Sequence, residues 1–118
     1  MVLVDAIGKV TEAWVAFERD DMLAARRIAA DAVSVLQAVT PHGGAQELFK
    51  SFGLHFAYSV EGRAEYQLGD FAAAERSEVR ALEASKPARR QAVRPPTNNA
   101  VGLRFPPGSR WPRPARGE

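Results

Sequence analysis

Few side chains in this sequence combine the type and the spacing that chemistry requires. His42 and His55 are the two histidines, and no second ligand type stands at metal-binding spacing around either. His42 falls in Thr40-Pro41-His42-Gly43-Gly44, a solvated turn, and His55 falls inside an apolar stretch as a core or edge histidine. Glu61 and Glu65 are four residues apart, so a helix would let them share a proton or a cation. With Arg63 between them they read instead as a solvated charge pattern. Asp20-Asp21 could attract a cation, but capping the helix that follows accounts for the pair. The sequence holds no glycine-rich phosphate loop, no nucleophile elbow and no His-Glu-x-x-His pattern. Zero cysteine removes thiol nucleophiles, thiolate metal sites and disulfides. The expectation is a non-catalytic protein with no metal and no cofactor.

The elements that would position any site lie in one part of a divided chain. The 118 residues fit one small domain. Residues 86–118 carry eight Lys/Arg and one acid, a charge of +7 against +2 for the whole chain, which leaves −5 on residues 1–85. Seven of the eight prolines lie in the same basic segment. The expected organisation is a helical domain over 1–86 and a disordered Pro/Arg-rich tail over 87–118. The opening MVLVDAIGKV places Asp5 before any sustained apolar run and does not predict a secretory signal, and no stretch is apolar enough to span a bilayer. The expected location is the cytoplasm.

Helical periodicity runs through the whole body. Ile7, Val10, Trp14 and Phe17 form one stripe of a first helix (about 5–18), with Asp5 as its cap. Ala25, Ile28, Ala29, Ala32, Leu36 and Val39 share a face of a second (about 22–39), with Arg26, Arg27, Asp31, Ser34 and Gln37 away from it. A third helix (about 45–68) is apolar on more than one side, through Leu48, Phe49, Phe52, Leu54, Phe56, Tyr58 and Val60, so it belongs in the middle. Gly69-Asp70 predicts a left-handed turn followed by an N-cap. The fourth helix (about 71–85) is expected to bury Phe71, Ala74, Ala81 and Leu82 and to stop before Pro87. No convincing period-2 alternation occurs. The fold class is all-α, two antiparallel hairpins.

A shift of 49 residues lays the second hairpin on the first. It superposes Glu12 on Glu61, Asp21 on Asp70, Ala24 on Ala73, Ala25 on Ala74, Arg27 on Arg76 and Ala32 on Ala81, with Phe17/Tyr66, Met22/Phe71 and Val33/Leu82 as conservative matches. In the second copy Tyr58, Gly62, Gly69-Asp70-Phe71, Ala74, Ala81-Leu82 and Pro87 stand in the order of the tetratricopeptide repeat, which residues 55–87 resemble; residues 6–39 resemble a degenerate repeat. Gly62, Ala74 and Ala81 would let two backbones approach, and Phe71 would fill the gap. Ser77 and Glu78 depart from the pattern, and Pro41–Leu54 is an insertion.

The resemblance implies a short α-solenoid whose first helices line a concave groove, with Val10, Trp14, Phe17, Phe56, Ser59, Arg63, Tyr66 and Gln67 facing a peptide or protein partner. The same rings can equally be plain core of a four-helix packing. Two repeats fall short of the three that usually close a stack, so either the long third helix and the tail supply the missing cap, or another protomer does at an exposed repeat end, or the chain is one end of a longer array. The tail offers a second reading. Arg89, Arg90, Arg94, Arg104, Arg110, Trp111 and Arg113 could contact RNA or DNA, by charge neutralisation and stacking, or the tail could fold back into the groove.

Overall fold

A computed structural model describes residues 2–92. The order is α1 (Val2–Glu18), α2 (Met22–Ala38), α3 (Gly44–Gln67), α4 (Phe71–Ala84) and α5 (Lys86–Ala92). No strand occurs among the described residues, so the protein is all-α. Helices α1 and α2 form one hairpin, α3 and α4 the other, and α3 packs against all four remaining helices. The helix apolar on several sides therefore lies in the middle, as its pattern requires.

The two hairpin joints match hydrogen bond for hydrogen bond at the 49-residue offset. In the first, the amides of Arg19, Asp20 and Asp21 donate to the carbonyls of Val15, Phe17 and Ala16; in the second, those of Leu68, Gly69 and Asp70 donate to Ala64, Tyr66 and Glu65. The Asp21 carboxylate accepts from the Ala24 amide and that of Asp70 from the Ala73 amide, each at 3.2 Å. Both caps satisfy amides that the first turn of a helix leaves without partners. Gly69 takes φ +86°, and Asp20, at the same place in the first joint, takes φ +65°. Aspartate tolerates that left-handed conformation better than most residues, so a joint without glycine still closes.

Alanine dominates the interior. Ala6, Ala13, Ala25, Ala29, Ala32, Ala57 and Ala64 are wholly buried, and Leu36 is the single large side chain that joins them. Small residues bring the helix axes together and push the rings outward. At Gly62 α3 and α4 approach closely: a Cβ there would lie 3.2 Å from the Ser77 Cβ and 3.4 Å from the Ala74 carbonyl oxygen.

Several expectations need correction. Helix α1 begins at Val2, so Asp5 lies in its first turn and is not its cap. Its buried stripe is Leu3, Ala6, Val10 and Ala13, one step round from the aromatic one. Phe71 and Leu82 are exposed, and α4 buries Ala73, Ala74, Ser77 and Ala81. Phe71 fills no gap; its ring meets the Tyr66 ring edge-on at 5.1 Å on the surface. The helical domain also runs past residue 86. Pro87 sits in the first turn of α5, where a missing amide costs nothing. There the Ala88 side chain is buried, and Ser51 Oγ donates to the Ala84 carbonyl where α4 ends against α3. No described helix is long and apolar enough to cross a membrane.

Candidate functional site

The outer face of α3 carries Phe49, Phe52, Phe56, Ser59, Arg63 and Tyr66 at steps of three and four residues. That spacing keeps all six on one side of a helix. Phe49, Phe52, Phe56 and Tyr66 are all about half exposed or more. On one flank α1 supplies Ile7, Val10, Thr11 and Trp14, and the two helices enclose a trough of about 590 Å³. Val10 is its buried floor and Trp14 its rim. The Arg63 guanidinium lies 5.8 Å from the Trp14 ring centroid, and Trp14 stacks on Phe17 at 5.5 Å with 14° between the planes. Arginine over an aromatic face is held by the ring quadrupole and still offers its donors to a ligand.

At the far end of α3 a second hollow of about 500 Å³ opens towards α4. Phe17, Tyr66, Gln67 and Phe71 surround it, Gly62 and Ala74 form its base, and Glu75 and Glu78 bring negative charge. Arg63 borders both hollows. The eight residues expected in one groove are divided between the two hollows: Val10, Trp14, Phe56, Ser59 and Arg63 line the trough, and Phe17, Tyr66 and Gln67 line the second hollow with Arg63. The structure adds Phe49, Phe52, Ile7 and Thr11. The two phenylalanines were visible in sequence as continuations of the stripe through Phe56, Ser59 and Arg63, but a broadly apolar helix hides which of its faces is free.

The opposite side of α3 holds the ionisable groups, and there the solvated-face reading of Glu61 and Glu65 fails. Glu65 is buried and accepts a 2.6 Å hydrogen bond from Ser77 Oγ. Ser77 thus has a structural reason to stand where the resemblance expects bulk. Glu61 is half-buried, and burial, with the nearby Glu65 carboxylate adding to it, raises its pKa above the ordinary 4.5; Arg80 and Arg26 oppose the rise. Gln37, expected to point away, donates from Nε2 to the Tyr58 hydroxyl at 2.7 Å. Burial raises the Tyr58 pKa as well, with Arg80 opposing and Glu61 adding.

The histidines hold structure together. His55 Nδ1 lies 2.9 Å from the Ala81 carbonyl oxygen and ties α3 to α4, while the Gln46 side chain accepts from the His42 amide at 2.8 Å ahead of α3. Of the basic residues expected in the tail, Arg89 and Arg90 lie on α5, and Arg89 donates to the Leu82 carbonyl. Arg94, Arg104, Arg110, Trp111 and Arg113, and with them the nucleic-acid and fold-back readings of the tail, lie outside the described residues. No protein-family model, no curated protein and no solved structure matches the chain.

Proposed function

We propose that this chain is a non-catalytic protein-interaction module, a short helical repeat of tetratricopeptide type, that takes an apolar peptide segment of a partner along the outer face of α3. One observation carries the reading. Trp14, Phe49, Phe52, Phe56, Tyr66 and Phe71 are exposed around two hollows that share Arg63, while the interior is mostly alanine. A contiguous exposed aromatic surface of this kind marks an interaction site on a folded protein. Aromatic rings supply most of the area such a contact buries, and Arg63 supplies donors for a carboxylate or carbonyl of the ligand. The matched joints support the repeat assignment, because both hairpins turn through the same hydrogen bonds and the same aspartate cap, and α1 and α3 lie in contact.

The test selects ligands from a displayed random-peptide library on the full chain. Binding is then measured to the chain and to an Arg63→Ala, Tyr66→Ala variant whose circular dichroism is unchanged. The expected result is a loss of about tenfold or more in affinity, the effect of removing two anchors. Equal binding by the folded variant overturns the assignment of the groove.

A further inference from the structure

We propose that a second copy of this chain occupies the α3 face, with its own α3 running antiparallel to the first. The inference rests on reading that face as a docking surface and names its occupant. The stripe Phe49, Phe52, Phe56, Ser59, Arg63, Tyr66 steps by 3, 4, 3, 4 and 3 residues, the seam spacing by which one helix packs along another. This seam is complementary to itself in one direction only. Antiparallel pairing about the middle of the stripe sets Phe49 against Tyr66 of the second copy, Phe52 against its Arg63, and Phe56 against its Ser59. Ring meets ring, ring meets guanidinium, and a large side chain meets a small one. Parallel pairing would set Arg63 on Arg63, a like-charge contact, and Ser59 on Ser59, a void.

The open end of the second hairpin gives the same occupant a structural role. At the repeat offset Ala29, Val33 and Leu36 are buried by α3, whereas Glu78 and Leu82 are exposed and Ser85 is half-exposed. The second hairpin lacks the neighbour that the first one has. A second copy laid along α3 supplies a further layer to each protomer, and Glu75 and Glu78 stay at a solvated rim.

Area sets the strength. Trp14, Phe49, Phe52, Phe56 and Tyr66 keep 39 to 61% of their surface exposed, which is about 100 Å² apiece and about 500 Å² per copy for rings of this size. Doubled, that stands near the lower limit of about 1,000 Å² for a specific interface, so the dimer is weak and responds to concentration.

Sedimentation of the full chain over micromolar to millimolar concentrations tests this. The expected result is a monomer that doubles in mass as concentration rises, with Phe56→Arg weakening association at least about tenfold and Val79→Arg, exposed on α4 outside the seam, leaving it unchanged. Because the chain has no cysteine, single cysteines report direction. Ser59→Cys, near the centre, forms an intermolecular disulfide on oxidation. Gln67→Cys does not, since antiparallel pairing holds the two copies of that position roughly 28 Å apart along the helices. A monomer at every concentration, a dimer indifferent to Phe56→Arg, or equal cross-linking at both cysteines overturns the inference. A chain that stays monomeric but still binds selected peptides through Arg63 and Tyr66 overturns the self-association alone and keeps the groove.

Discussion

The two hairpins share a joint and differ in what covers them. Both joints make the same three backbone hydrogen bonds and the same aspartate cap, yet equivalent side chains meet opposite fates. Val33 is buried and Leu82, its counterpart, is 54% exposed; Ala29 is wholly buried and Glu78 is exposed. The same offset pairs Ala16 and Ile28 with Glu65 and Ser77, so apolar filler in one hairpin becomes a buried hydrogen bond in the other. A common joint fixes how each hairpin turns, whereas burial on its outer flank depends on the next layer. Helix α2 has α3 beside it; α4 presents that flank to water.

The largest test of this contrast places a carboxylate at matched positions. Val33→Asp buries an unpaired charge and is expected to cost about 3 kcal/mol or more, whereas Leu82→Asp stays within about 0.5 kcal/mol. Urea unfolding of the two variants measures the difference, and similar losses would break the comparison. Next in size, Ser77→Ala deprives the buried Glu65 carboxylate of its donor and is expected to cost about 2 kcal/mol. Glu65→Gln, which keeps an acceptor opposite Ser77, loses less in the same assay.

Exchanging the joints sharpens the comparison. Gly69→Asp should destabilise and Asp20→Gly should stabilise, each by about 0.5–1 kcal/mol, because both positions hold left-handed φ and only glycine does so freely. Opposite shifts in melting temperature confirm that the joints are equivalent; shifts of the same sign contradict it. The smallest effect is electrostatic. Burial raises the Glu61 pKa, so the folded state favours the protonated acid, and stability falls as pH rises through that raised value. Glu61→Gln should therefore stabilise near neutral pH by a few tenths of a kcal/mol, a modest figure because the half-exposed carboxylate is screened. The gain should vanish below the ordinary value of 4.5, and a gain that grows on acidification contradicts the sign.

Local rules made the helices readable. Pro41, Gly43 and Gly44 mark the break before α3, Gly69 the next turn, and Asp21 and Asp70 the caps, because each acts through its own backbone. Part of the lining of the two hollows was readable for the same reason: Val10, Trp14, Phe56, Arg63 and Tyr66 follow from helical spacing. Burial was less legible. Phe71 and Leu82 lie on an amphipathic face and look like core until the flank beyond α4 is seen to be open, while Glu65 looks like surface until Ser77 is seen across from it. The path after Pro87 was missed because proline stops a helix and also starts one, and only the packing of Ala88 decides between them. Alanine gave the weakest signal, since a wholly buried Ala57 and an exposed Ala72 are alike in sequence.

The proposed docking groove is tested by amide chemical-shift mapping of the full chain with a peptide selected on it. Perturbations are expected at Thr11, Trp14, Phe52, Phe56 and Arg63, along the trough between α1 and α3, and at Tyr66 in the adjoining hollow. Perturbations centred on Arg26, Ala30, Gln37 and Arg80, with the trough unmoved, would contradict it.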